Sequence, residues 1–246
     1  MTEQIEAVAP DASAAAPAEE AGRAGHVLDR APWESLGGHH ARFAQRLGRA
    51  VRYHPEVAPF IALEDDRDPR AWEDVDALLG PDEELALPGV FEWPDIWKPV
   101  FSAEGVQMVG TRLDPLPDPE AVLLGADDVP EILDLVARTQ PGPFLPRTVE
   151  LGSYLGIRRD GALVAMAGER LHPPGWTEIS AVCTDEAYRG QGLAARLVRA
   201  VAAGIVERGE TPFLHALGTN VNAIRLYEAL GFELRRTTSF TVLARA

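Results

Sequence analysis

Apolar and polar positions along the second half of the chain follow two periods in turn. "EAVLLGADDVPEILDLVARTQPGPF" predicts a strand and then a helix from about Val129, with Ile132, Leu133, Leu135 and Val136 inward. Asp127 or Asp128 is placed to cap that helix, and Pro130 sits in its first turn. "SYLGIRRDGALVAMAGERL" predicts two strands about an Asp160-Gly161 hairpin turn. "HPPGW" is a second turn, leading into the strand "TEISAVCT". Leu193, Leu197, Val201 and Ile205 recur at spacing four, which predicts a helix ended by Gly209. "PFLHAL" is a strand, "NAIRLYEAL" a helix closed by Gly231, and "FELRRTTSFTVLAR" strand material. The order is β-α-β-β-β-α-β-α-β, a mixed sheet with helices packed on it.

The first half is less regular. Residues 1–25 are rich in Ala, Glu and Pro without a period and read as a disordered tail. In "HHARFAQRLGRAVRYH", Phe43, Ala44, Leu47 and Val51 fall on one helical face. "APFIALED" predicts a strand, "PRAWEDVDALLG" a short helix ending at Gly80, and "EELALPGVFEW" and "GVQMVGTRL" two more strands. Prolines 115, 117 and 119 mark a linker. The expected division is therefore a tail (1–25), an N-terminal α/β region (26–115) and a C-terminal domain (118–246).

Composition narrows the function. The 246 residues carry a formal net charge of -15, which argues against a nucleic-acid binder and a polybasic membrane-surface protein. No apolar run approaches the roughly 20 residues of a membrane span, and the N-terminus has no basic, compactly apolar signal. The single cysteine, Cys183, excludes an internal disulfide and a multi-cysteine zinc site. A cytoplasmic protein is expected.

One junction carries chemistry. A strand meets Arg189-Gly190-Gln191-Gly192, which opens directly into a helix. Backbone N–H groups at a helix start lack intrahelical acceptors, and the helix dipole adds positive potential there. Glycines leave those groups open to a phosphate, and Arg189 adds a mobile cation. The turn reads as a pyrophosphate cradle or as a tight connection. Neither nucleotide alternative fits well: a P-loop lacks its required Lys here, and a Rossmann fingerprint has Ala195 where a third glycine belongs and a preceding strand that follows a meander.

The turn Arg189-Gly190-Gln191-Gly192-Leu193-Ala194 resembles the [Q/R]-x-x-G-x-[G/A] signature of the GNAT acyltransferase superfamily, and "NVNAIRLYEALGF" resembles its second signature. The resemblance covers residues 118–246, and "GERLHPPGWTEISAVCTDEAYRGQGLAARL" is most similar to the branch related to glycine N-acyltransferases. It implies a mixed, mostly antiparallel sheet flanked by helices, with 26–115 a candidate degenerate copy of the same fold. It implies that strand 177–184 splays from strand 212–217 and offers backbone at Val182, Cys183 and Thr184 to the pantetheine arm of coenzyme A. The N–H groups of Gly190, Gln191, Gly192, Leu193 and Ala194, with Arg189, take the pyrophosphate, and Asn222 reaches the pantetheine. Tyr227 matches the family's general acid. Taken alone it reads equally as a core residue, since Ala223, Leu226 and Leu230 share its helical face.

Glu178 lies where some family members place a general base, and Glu169 lies on the preceding strand. A turn centred near Pro173-Pro174 sets the two opposite each other, and such a like-charge pair raises one carboxyl pKa. Two solvated carboxylates are the plainer alternative. Cys183 reads as buried packing. His215 is a core or groove residue, and His39, His40 and His54 form no metal-ligand pattern, so no metal is expected. The expected activity is acetyl transfer from acetyl-CoA to a primary amine by direct attack, with the oxyanion held by a backbone N–H near Val182. A small-molecule amine is the first acceptor, a protein N-terminus or lysine the second, and a monomer or homodimer the assembly. A catalytically silent acyl-CoA sensor or scaffold is the alternative; a holder of ADP is a third.

Overall fold

The computed structural model describes residues 25–90 and 92–246, so the expected tail lies outside the described residues except for Gly25. The N-terminal region builds α1 (Ala31–Gly37), β1 (Ala44–Leu47), β2 (Ala50–Tyr53), β3 (Ile61–Leu63), α2 (Pro69–Leu78), β4 (Leu85–Pro88) and β5 (Trp97–Val109). The helical pattern over 39–54 is not realised. That stretch is a hairpin in which Leu47 pairs with Ala50 and Ala44 with Tyr53. Gly48 makes the turn at φ +50, and the Arg49 N–H donates to the Asp74 carboxylate at 2.7 Å. A side chain at 48 would collide with that carboxylate. Leu47, needed for a helical core face, is 41% exposed, whereas Val51 and Tyr53 alternate into the interior.

The second half supplies β6 (Val122–Leu124), α3 (Val129–Thr139), β7 (Tyr154–Arg159), β8 (Ala162–Glu169), β9 (Trp176–Thr184), α4 (Leu193–Glu207), β10 (Thr211–Leu217), α5 (Val221–Leu230) and β11 (Glu233–Arg245). This is the order the periodicity predicts. Asp160 (φ 51) and Gly161 (φ 85) make the expected hairpin turn. Leu193, Leu197, Val201 and Ile205 are all buried in the core between α4 and the sheet.

Eight strands form one sheet in the order β4-β11-β5-β10-β9-β8-β7-β6. Every neighbouring pair is antiparallel except β9 and β10, which α4 joins as a crossover. β5 precedes the proline-rich segment in sequence yet runs between β10 and β11, so the sheet crosses the compositional break at 114–119. β1, β2 and β3 form a separate small sheet. Among the described residues no helix is long and apolar enough to cross a membrane.

Three histidines seal the N-terminal region to the large sheet. His39 stacks on His172 with ring centroids 4.4 Å apart. His40 is engaged at both nitrogens, with Tyr53 Oη and the Leu151 carbonyl, each at 2.9 Å. His54, 39% exposed at its side chain, lies outside the cluster. Burial pushes His40 down to about 4 and His172 down to about 3, with neighbouring histidines adding to both. Below the ordinary histidine pKa of about 6.5 the unfolded chain takes up protons that the folded chain refuses. Stability is therefore full above that value and falls as pH drops toward the folded values, by about 1.4 kcal/mol per pH unit for each ring. Urea midpoints measured from pH 7 to pH 4.5 are expected to fall steadily; a flat series contradicts the neutral assignment.

Candidate active site

β9 and β10 are paired from Trp176/Thr211 to Ile179/Leu214 and no further. Each then keeps its outer neighbour, β9 following β8 to Thr184 and β10 following β5 to Leu217. The two inner edges open into a V whose backbone groups are free for a ligand. A bulge assists the parting. Ala181 and Val182 together oppose Ala167, and Ala181 takes φ +53, a conformation rare outside glycine.

The mouth of the V meets the start of α4. Gly190 (φ +78) and Gly192 (φ +75) hold left-handed backbone, and Gly192 occupies the N-cap position with no side-chain cap. No intramolecular acceptor is found for the N–H groups of residues 190–195 among the described residues. A cleft of about 1070 Å³ joins this cradle to the V. Val182, Cys183, Thr184, Arg189, Gly190, Gly192, Leu193, Ala194 and Asn222 line it, whereas Gln191 is exposed and outside the lining. Thr184 Oγ1 is buried in the wall with no partner of its own. Open amides, an adjacent guanidinium and an extended free strand edge fit a diphosphate with a pantetheine arm.

Tyr227 lines the cleft from α5 and is 7% exposed. Burial alone raises its hydroxyl, to about 12, so it keeps its proton at neutral pH. Cys183 points into the core with Met166 and Tyr154, and burial pushes its thiol up, which is the state of a packing residue rather than a nucleophile.

The expected confrontation of Glu169 with Glu178 does not occur. Glu169 pairs with Ile179, and the turn runs through Gly175 at φ +77, one half-step later than Pro173-Pro174. A one-residue slip turns the two carboxylates to opposite faces. Glu169 meets Arg208 at 2.9 Å and is absent from the cleft lining. Glu178 is fully buried and gripped by Arg170 through two hydrogen bonds of 2.9 and 2.7 Å. Burial would raise its pKa, but the charge and fork of Arg170 and a hydrogen bond from His215 hold it at about 2, the reverse of the expected rise.

His215 is the first β10 residue past the pairing, at the apex of the V. Its Nδ1 lies 2.7 Å from Glu178 Oε1, and its Nε2 lies 3.0 Å from Gln107 Nε2. The Gln107 amide is oriented unambiguously, because Arg235 can only donate and does so to Oε1. The Gln107 nitrogen is then a donor, to the Leu28 carbonyl at 2.9 Å and to His215. His215 therefore carries its proton on Nδ1, toward Glu178, and its Nε2 lone pair accepts from Gln107. Sequence reasoning assigned this histidine no role; its place on the strand that follows the crossover helix was the available signal.

The chain is similar to known proteins in sequence and in fold. The family model described as FR47-like protein matches residues 154–241. The N-alpha-acetyltransferase RimI of Mycobacterium tuberculosis is 34% identical over 130 residues, 47% of this chain and 81% of that one. A crystal structure from Novosphingobium aromaticivorans, described as an acetyltransferase of the GNAT family, is 41% identical with a TM-score of 0.83 and covers 90% of this chain and 99% of that one. A GCN5-related N-acetyltransferase from Kribbella flavida shares the fold at 19% identity, with a TM-score of 0.61 over 90% of this chain and 96% of that one. The chain belongs to the GNAT superfamily and is an acyl-CoA-dependent N-acyltransferase.

Proposed function

We propose that the protein moves an acetyl group from acetyl-CoA to a primary amine by direct attack. The cradle amides and Arg189 hold the diphosphate. The free edge at Val182, Cys183 and Thr184, with Asn222, aligns the pantetheine along β9. An N–H of the bulge at Ala181-Val182 faces the carbonyl oxygen as it gains charge. Tyr227 donates its proton to the departing thiolate. Glu178, buried and held through both oxygens, does not take the amine's proton itself; it positions His215, whose Nε2 takes that proton in exchange for the hydrogen bond it accepts from Gln107. Glu169, turned to the other face, has no part. Residues 26–115 form the acceptor side of the cleft. A small-molecule amine, a cytoplasmic setting and membership of the glycine N-acyltransferase branch belong to the same reading. The observation that supports it most is that one cleft is lined by a splayed strand pair, the buried Tyr227 phenol and, at the apex, His215.

Tyr227→Phe keeps the ring and its packing and removes the proton. Turnover is expected to fall by roughly 100-fold, with the KM for acetyl-CoA little changed. Steady-state release of free thiol measures both. Unchanged turnover would remove Tyr227 from the chemistry. Binding of acetyl-CoA without thiol release in the presence of any amine would favour a silent sensor.

A further inference from the structure

A line of polar side chains runs along and beneath the floor of the cleft, one strand after another; Arg170, His215, Gln107, Arg236 and Asp29 line it, and Glu178 and Arg235 lie behind them. Arg170 follows the end of β8, Glu178 is on β9, His215 on β10, Gln107 on β5, and Arg235 and Arg236 on β11. The register sets Arg236 beside Gln107 and Gln107 beside His215. Hydrogen bonds run through the whole line, and Asp29, from before α1, closes it by accepting from Arg235 at 2.6 Å and Arg236 at 2.7 Å. The other Asp29 oxygen accepts from the His26 N–H.

The charges along this line do not cancel. Arg170 offsets Glu178, and His215 is neutral. Asp29 then stands alone against two guanidinium groups, and one positive charge is left over. Arg235 and Arg236 are 18% and 37% exposed at their side chains, so the surplus is only partly solvated. Arg236 lines the cleft, as does Arg170, which is 13% exposed and gives Nε and one Nη to Glu178 while no partner is found for its Nη1 among the described residues. Among the described residues the acids in the lining are Asp29 and the exposed Glu84. A chain of net charge -15 has thus concentrated a cationic surplus where the acceptor must lie. A half-buried surplus charge is costly unless a ligand completes it.

We propose that the acceptor amine carries an anionic group, a carboxylate or a phosphate, held by the free guanidinium donors of Arg236 on the cleft floor. This rests on the transferase reading of the cleft. The net charge of -15 taken alone would favour a cationic acceptor; the cleft floor points the other way.

The test pairs amines with and without an anionic group, with rates expressed per unprotonated amine because the members of a pair differ in amine pKa: alanine with alaninamide, and O-phosphoethanolamine with ethanolamine, with spermidine as a cationic control. Thiol release from acetyl-CoA gives kcat/KM for each. The anionic member of at least one pair should be favoured by about tenfold or more, the worth of one charge-assisted hydrogen bond. The alanine pair responding alone identifies a carboxylate, and the other pair alone a phosphate. In Arg236→Gln, with folding checked by its melting temperature, that ratio should collapse toward one through KM. Preference for alaninamide, ethanolamine or spermidine overturns the proposal. If no amine is turned over, calorimetric titration of the same compounds into the protein with CoA separates the two ideas. Selective binding of the anionic members, lost in Arg236→Gln, upholds the anion site while the transferase reading fails; no such selectivity overturns the anion site as well.

Discussion

Gly192→Asp is expected to weaken acetyl-CoA binding by about 1000-fold, the loss of two or more charge-assisted hydrogen bonds, while the fold is kept. Gly192 sits at φ +75, and a Cβ there meets nothing within 4 Å. Aspartate is among the side chains that tolerate left-handed backbone, so the structural cost is small. The functional cost is large. The new carboxylate stands among the unpaired amides of residues 190–195 and competes for them with the diphosphate, which it also repels. Titration calorimetry gives the affinity and a thermal melt gives the stability. Near-normal affinity in a folded variant would mean that the diphosphate lies elsewhere.

Arg170→Leu is expected to cost about 3–5 kcal/mol of stability, because it leaves the Glu178 carboxylate buried without its cation. Without that cation burial drives the carboxylate toward its protonated form, and His215 loses the partner that fixes its tautomer. Activity should fall with stability. Adding Glu178→Leu should recover much of the lost stability, since removing both charges leaves none unpaired, yet activity should stay low. Urea unfolding of the wild type, the single variant and the double variant measures the cycle. A single variant as stable as the wild type would show that the pair is not held dry.

The elements of residues 118–246 were legible because each keeps one period and ends at a glycine or a turn. Gly209 and Gly231 both take positive φ past helix ends. The first half misled where periods overlap. Phe43, Leu47 and Val51 fit a helix by spacing, but Gly48 bends the chain back at that point. The first half of β5 was invisible because residues 98–102 are exposed and show no alternation. The cradle could be read because it is local: two glycines and a helix start within six residues. The floor of the cleft could not, because its members span residues 29 to 236 and meet only through strand order. Gly175 shows how fine the margin was. Its positive φ delays the turn by half a step, and that decides whether Glu178 faces Glu169 or Arg170.

Everything functional depends on where the diphosphate and the sulfur of the donor come to rest. A crystal structure with acetyl-CoA bound tests this most directly. The diphosphate oxygens should accept hydrogen bonds from backbone N–H groups between Gly190 and Ala195, with the sulfur within hydrogen-bond reach of the Tyr227 hydroxyl and the acetyl group at the apex beside His215. A donor bound outside the V, or with its sulfur far from Tyr227, would contradict the assignment of the site.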